Sequence, residues 1–415
     1  MYIVAETTTY QCPNCQGRLR FDGEIGKLKC DFCDSEFTPQ EVEQFNAEKQ
    51  ARADAKAAKE AAKKEGGQAP GAAVAADAEK AKSAAEADVS HQAPVAKVEV
   101  VEGEDPIDTY LRNAKWDNLS EEQLRSYNCP SCGAELLVDQ VTAVSSCPYC
   151  GNNAVIPGQL SDMLKPDYII PFKLDRNDAI AALKNYYRGK RFLPKSFVEE
   201  NHIEEVQGVY VPFWLYSGTG SANATFNARN MRMWSDSNNN YTETDHFKVY
   251  REGSMQFHHV PVDGSTKMPD AHMDAIEPFD YSEMVPFSVG YLPGYLTDRY
   301  DLGVKSCEER AGRRVETTCV DTLRNTVTGY MEVDTESASA QLDLHDVAYA
   351  LLPVWMLHTT WKDKDYLFAM NGQTGRLIGD LYIDNGKVVR TSLLIFLPLV
   401  IILALVVNFT MGFGF

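Results

Sequence analysis

The residues best placed to do chemistry are cysteines in pairs. Eight of the ten form four C-x-x-C pairs, and Cys307 and Cys319 stand apart. Cys12, Cys15, Cys30 and Cys33 read C-x2-C-x14-C-x2-C, and Cys129, Cys132, Cys147 and Cys150 repeat that spacing. The flanks repeat too, with YQCPNCQGRL from Tyr10 and YNCPSCGAEL from Tyr127. Four thiolates satisfy a tetrahedral Zn2+ at about 2.3 Å each, and one tight turn aims both sulfurs of a pair at the ion. Pro13, Pro130 and Pro148 follow the first cysteine of their turns and pre-set the backbone. Gly133 and Gly151 follow the second cysteine, where a positive φ is often required. The turn Cys30-Asp31-Phe32-Cys33-Asp34 has neither aid and is expected to be the weaker one. Two structural Zn2+ ions are expected, in closed sites with no position left for substrate. Iron in a rubredoxin-type centre would use the same ligands and stays open. A thiol redox pair calls for one C-x-x-C beside a βαβ pattern, not four in register.

The segments between the pairs must form the scaffold. RLRFDGEIGKLK predicts a hairpin turning at Asp22-Gly23, and ELLVDQVTAVSS predicts two strands. Modules this small fold on their metal. Between them, EVEQFNAEKQARADAKAAKEAAKKE favours helix, with Glu48/Arg52 and Glu60/Lys64 as i,i+4 pairs, but has no apolar stripe. A solvated arm is expected there, followed by a disordered linker rich in Gly, Ala and Pro. Ser120 to Gln123 form a capping box that starts a short helix before the second ribbon.

Farther along, the composition becomes rich in Tyr, Phe, Trp and Val. Two stretches correspond: Pro-Phe, then Asp-Arg-x-Asp (Asp175 to Asp178 and Asp298 to Asp301), a helical pattern, and a strand with Pro-x-Trp (Pro212/Trp214 and Pro353/Trp355). The Asp-Arg-x-Asp stretches suit helix starts. The correspondence suggests an α+β domain of two related halves, closed by a meander with turns at Asn371-Gly372 and Asn385-Gly386. Cys307 and Cys319 fall on one helical face and read as buried small residues. His258, His259 and His272 lie among Asp263, Asp270 and Asp274, but without the spacing of a metalloenzyme motif. A solvated loop is the simpler reading, and no catalytic residue is assigned.

Residues 393–415 hold no charged side chain, and as a helix they reach about 35 Å, enough to cross a hydrocarbon core. Lys387 and Arg390 precede them, so the N-terminal bulk is expected on the cytoplasmic side of the cell membrane, as a tail-anchored, single-span protein. The N-terminus does not read as a secretory signal, and a reducing compartment favours metal over disulfides. The net charge of −19 opposes sequence-independent nucleic-acid binding.

The paired modules resemble the TFIIB-type zinc ribbons of bacterial proteins. The whole chain resembles the YdjG-like family of membrane-anchored tandem zinc-ribbon proteins. That resemblance is carried by both ribbons, by KWDNLSEEQLRSYNCPSCGAEL from Lys115, by a middle domain ending NGQTGRLIGD at Asp380, and by the C-terminal span. It implies association with SPFH-domain, virion-core-like proteins and with phage-shock membrane-stress proteins. The expected fold is multi-domain: two small β zinc ribbons, a helical and disordered linker, an α+β domain with an internal repeat, and one transmembrane helix. The expected boundaries are 1–40 for ribbon 1, 41–106 for the linker, 107–158 for a short helix plus ribbon 2, 167–390 for the α+β domain and 391–415 for the membrane helix. The expected function is a non-enzymatic adaptor whose ribbons recruit such a cytoplasmic protein to the membrane. The alternatives are a membrane-associated nucleic-acid-binding ribbon protein, using Arg18, Arg20, Lys27 and Lys29, and a hydrolase using the His/Asp stretch.

Overall fold

The computed structural model describes residues 12–23, 25–46, 48, 49, 52, 105–114, 124–139, 144, 146–152, 156–158, 164–194, 197, 205–362 and 364–412. The capping box at 120–123 and most of the linker, 53–104, lie outside them. In chain order the strands are β1 (Leu19–Asp22), β2 (Lys27–Cys30), β3 (Glu36–Phe37), β4 (Leu124–Asn128), β5 (Glu135–Asp139), β6 (Ile156–Gly158), β7 (Tyr168–Ile169), β8 (Gln207–Ser235), β9 (Asn240–Asp263), β10 (Val285–Pro286), β11 (Leu296–Asp298), β12 (Glu332–Trp361), β13 (Lys364–Asn371) and β14 (Leu377–Gly379). The helices are α1 (Pro106–Asn113), α2 (Arg176–Tyr187), α3 (Asp270–Ile276), α4 (Val304–Asn325) and α5 (Asn385–Gly412).

The chain is multi-domain. A three-stranded sheet, β1-β2-β3, accompanies a mixed sheet of eleven strands, and an apolar helix ends the described residues. The larger sheet is built on β8 and β12, of 29 and 30 residues. They pair antiparallel from Gln207↔Met356 to Arg229↔Glu332. Their inner halves, VYVPFWLY and VAYALLPVWML, are buried on both faces, as their continuous apolar composition dictates. The outer half of β8 alternates instead. Gly220, Ala222, Ala224, Phe226 and Ala228 are buried, while Ser221, Asn223 and Asn227 are exposed. With β9 and β12 it forms a three-stranded blade covered on one face by α4. Val304, Cys307, Ala311, Val315, Cys319 and Leu323 supply the buried stripe of α4 at steps of three and four. Gly220 permits the approach, because a Cβ there would stand 2.8 Å from Cys319 Sγ. Cys307 and Cys319 are thus core residues, as expected.

The two Pro-x-Trp strands cross about Val211↔Leu352, with Pro212 opposite Leu351 and Pro353 opposite Tyr210. Each tryptophan closes a helix start. Trp214 Nε1 donates to Leu302 O (2.9 Å), just before α4, and Trp355 Nε1 donates to Leu174 O (3.1 Å), just before α2. The two Asp-Arg-x-Asp stretches do not act alike. Asp175 caps α2 in a reciprocal capping box with Asp178. The second stretch does not cap: α4 begins after Gly303 without a side-chain cap, Asp298 is buried in β11, and Asp301 accepts from Thr266. A second expectation also changes. Asn385-Gly386 is not a turn of a meander but the first residues of α5, because Asp384 Oδ1 accepts from the amides of Gly386 and Lys387 and nucleates the helix there.

Charge locks α4 to the sheet. Arg310 reaches Asp263 (2.6 Å), Asp274 (2.8 Å) and Asp270 (3.0 Å), and Arg314 pairs with Glu277. Asp263 is 1 % exposed, and its Oδ2 receives no hydrogen bond among the described residues. Burial, only partly offset by Arg310, raises its carboxyl to about 6. The fold therefore prefers this group protonated. Its stabilising contribution is complete below the ordinary carboxylate pKa of about 4 and is lost as pH rises through about 6. Asp263→Asn should remove that portion of the pH dependence of the urea midpoint, followed by tryptophan fluorescence. Arg310→Met should cost about 3–5 kcal/mol at neutral pH, because it strands a buried carboxylate. A loss within about 0.5 kcal/mol, typical of a surface site, would show that the cluster does not hold α4.

Candidate metal centres

Four tight turns present the eight cysteines, and all four have one geometry. The amide after the second cysteine donates to the carbonyl of the first: Gln16 N to Cys12 O (2.8 Å), Asp34 N to Cys30 O (3.1 Å), Gly133 N to Cys129 O and Gly151 N to Cys147 O (both 2.9 Å). The first cysteine's amide donates to the next residue but one beyond that pair, as in Cys12 N to Gly17 O and Cys129 N to Ala134 O (both 2.8 Å). This closure requires a left-handed backbone at the donor residue. Gln16, Asp34, Gly133 and Gly151 have φ of 61, 55, 70 and 67°. The expected positive φ at both glycines is observed. Ribbon 1 forces it on Gln16 and Asp34, at a cost of about 1–2 kcal/mol each for an ordinary side chain and less for Asp. Gln16 escaped the sequence reading; its place after Cys15 was the available signal.

Within each group of four the sulfurs lie within 4.8 Å of one another. Cys12–Cys33 and Cys15–Cys30 are 3.5 and 3.4 Å apart, and Cys129–Cys150 and Cys132–Cys147 are both 3.6 Å. Disulfides need about 2.05 Å. A tetrahedron with Zn–S of about 2.3 Å has edges of about 3.8 Å. The sulfurs are thus arranged for an ion and not for covalent pairing, and each group could hold one metal, consistent with zinc. The Ser35 hydroxyl and amide beside Cys33 lower its thiol to about 6, while burial raises the thiols of Cys12 and Cys132. Cys12, Cys30, Cys129 and Cys147 are buried, Cys132 and Cys150 half-buried, and Cys15 and Cys33 exposed. The first site is the more open, with Phe32 of its second turn 78 % exposed.

The ribbons are joined to the body. In ribbon 1, β1 and β2 pair from Leu19↔Cys30 to Asp22↔Lys27, so Asp22 belongs to the ladder and the hairpin closes between Asp22 and Lys27. Phe21 stacks edge-on to Tyr291 (5.1 Å), and its amide donates to Pro293 O (3.3 Å). Leu19, Phe21, Leu28 and Cys30 share one apolar cluster with Phe172 and Tyr295. Ribbon 2 belongs to the large sheet. β5 pairs with β4 and with β11, and β11 runs parallel to β8. β6 returns to β4, and the expected second strand within ELLVDQVTAVSS is not formed at Val144 or Ser146. Gln207 Nε2 donates to Ser146 Oγ (2.7 Å), and Arg299 pairs with Glu135. His358 packs against Gly151, where a Cβ would come 2.9 Å from its Nδ1.

The remaining candidates disperse. His258 and His259 belong to β9 and line a cleft of about 250 Å³ with Arg314, Thr318 and Cys319. His272 is on α3, near Asp380 (3.7 Å). Among the described residues these histidines do not converge with carboxylates into a metal-ligating group. In ribbon 1, Lys27 and Lys29 face Glu36 and Asp34 at 3.7 and 3.8 Å, which offsets part of the basic face.

The chain is similar to a Bacillus subtilis (strain 168) protein described as uncharacterized protein YdjG, with 26% identity over 312 residues, 63% of this chain and 92% of that one. This agrees with the resemblance read from the ribbons. No family model matches the chain, and no solved structure does.

Elemental analysis should find close to two zinc ions per chain. Release to a chromogenic chelator should be biphasic, ribbon 1 emptying first because Cys15 and Cys33 are exposed. Gln16→Gly with Asp34→Gly should slow only the first phase, by roughly fivefold or more if about 1 kcal/mol of strain is relieved. A stoichiometry below one ion, or a single release phase unaffected by these changes, would contradict the assignment.

Proposed function

We propose that this protein is a non-enzymatic adaptor, anchored in the cell membrane through α5, whose cytoplasmic zinc ribbons hold a partner protein at the bilayer. The observation that carries this reading is the joining of two closed four-cysteine sites and one unburied apolar helix to a single body, ribbon 2 through the large sheet and ribbon 1 by packing on Tyr291 and Pro293. Four-thiolate sites offer no open coordination position and serve structure. Residues 385–407 of α5 are long and apolar enough to cross a membrane, and their most apolar window is not buried by the body. The resemblance to YdjG-like proteins points to an SPFH-domain or phage-shock-type partner. The two halves of the α+β domain, each with a Pro-x-Trp strand closing a helix start, are read as related.

The ribbons act here as rigid faces and not as modules on a loose arm. Among the described residues of ribbon 1, Phe32 is the most exposed apolar side chain, in its second cysteine turn. A nucleic-acid role has a partly neutralised basic face and a net charge of −19 against it.

A photo-crosslinker in place of Phe32, in the full chain in intact cells, should capture an SPFH-domain or phage-shock-type protein from the membrane fraction. Cys12→Ser with Cys15→Ser should abolish capture while the chain stays in that fraction, because unfolding ribbon 1 does not touch α5. Crosslinks chiefly to nucleic acid, with a salt dependence implying several phosphate contacts, would replace this reading with the alternative.

A further inference from the structure

The body surface at the root of α5 differs from the rest of this acidic chain. Three segments meet there. The turn after α2 carries Lys190, Arg191 and Phe192, all exposed. The β12–β13 turn carries Lys362, and α5 begins with Lys387 and Arg390. They are tied together. Asp384 N donates to Phe192 O (3.0 Å), and Lys387 Nζ donates to Leu193 O (2.8 Å). Lys362 Nζ lies over the rings of Trp361 (4.2 Å) and Tyr382 (5.4 Å), which meet edge to face at 4.6 Å. Phe192 and Ile383 remain 39 and 59 % exposed beside these cations.

Level matters as much as composition. The charge-free run of α5 starts near residue 393, six residues beyond Lys387, or about 9 Å along a helix. The headgroup layer is about 5–8 Å deep on each side of the hydrocarbon. Lys387 and the turn bonded to it therefore reach the bilayer at its polar surface. Aromatic rings and lysine or arginine side chains are the residues that this layer favours, the cations because anionic headgroups attract them. Of the described acidic neighbours, Asp384 caps α5, and Asp365 accepts from Thr360 Oγ1 (2.9 Å).

We propose that this collar, centred on Lys190, Arg191, Phe192 and Lys362, docks on the anionic lipid headgroups of the bilayer that α5 crosses, and so fixes the orientation of the body on the membrane. The proposal rests on the reading of α5 as a membrane span.

The test uses the full chain in lipid nanodiscs of phosphatidylcholine alone or with phosphatidylglycerol. Co-elution with discs reports insertion, and hydrogen–deuterium exchange of the amides at 190–193 and 361–362 reports docking. Exchange about tenfold slower in the anionic discs is expected, a difference that high salt reduces. Lys190→Glu, Arg191→Glu and Lys362→Glu together should insert equally well but lose the difference. Equal exchange in both disc types by an inserted chain would overturn the docking while leaving the anchor intact. Failure to co-elute with either disc would overturn the anchor and the docking with it.

Discussion

The antiparallel pairing of β8 with β12 is the constraint on which the rest of the molecule depends. It runs without a break in pairing partner from Gln207↔Met356 to Arg229↔Glu332, with register shifts only at Thr335/Ser337 and Leu344/Asp346. A one-residue slip turns outward the core face of the strand that moves. If β8 slipped, Phe226 would leave α4 for solvent and Trp214 would lose the carbonyl it binds; if β12 slipped, Trp355 would lose its own. The metal sites inherit the same register. Ribbon 2 is attached through β11, which pairs parallel to Val209 and Tyr210 of β8 and antiparallel to Leu136 and Leu137 of β5. Ribbon 1 rests on Tyr291 and Pro293, just ahead of β11. Two local four-cysteine folds are thereby held in one frame by a long-range pairing.

That frame contains polar groups which only a fixed geometry can hold. Asp298 sits at the end of β11 where ribbon 2 joins the sheet, and burial raises its carboxyl to about 7. Asp263 and the Arg310 cluster lie at the base of the blade. In both places the cost of burying a carboxyl is accepted where separate elements meet. At the blade, apolar packing alone would tolerate several arrangements, whereas the buried Asp263 carboxyl paired with Arg310 tolerates few.

What could be read in the sequence follows the range of each interaction. The cysteine sites were legible to the residue, because a metal turn is encoded in four or five consecutive positions and the spacing appears twice. The buried stripe of α4, with Cys307 and Cys319 in it, was legible because helical periodicity is local. The apolar run of α5 was legible for the same reason, but its first turns were not. Asn385-Gly386 has the composition of a hairpin turn, and only Asp384, one residue earlier, makes it a helix start. The two Asp-Arg-x-Asp stretches show the limit most clearly. They are nearly the same in sequence, yet Asp175 caps a helix and Asp298 is buried in a strand, because β11 runs into the second stretch, where Asp298 pairs with Leu136 of β5. The attachment of ribbon 2 to the sheet was equally hidden. Its continuous apolar run Leu136, Leu137 and Val138 names no partner strand.

The blade shows how such a fold lives with exposed edges. At about 3.3 Å per residue, β8 spans roughly 95 Å, and over its outer half β9 and β12 are the flanking strands. Unpaired edges of that length invite association with other chains. Here the outer part of β9 carries Glu243, Asp245, Lys248 and Arg251, and that of β12 carries Glu332, Asp334 and Glu336, with a register shift in the middle of the charged run. Charge and irregularity oppose edge-to-edge growth without disturbing the face under α4. At the tip the protection changes character. Trp234 and Tyr241 stack at 5.6 Å across the hairpin closed by Asp236, and Met233 and Met331 stand exposed nearby in sequence and register. The root of α5 lies by Trp361, at the opposite end of β12 from Glu332. The two ends of one strand thus carry different surfaces. Basic and aromatic side chains surround the root of the apolar helix, and sulfur and aromatic side chains mark the end farthest from it. A continuous β-strand is stiff enough to keep such surfaces apart, which a flexible linker of equal length would not do.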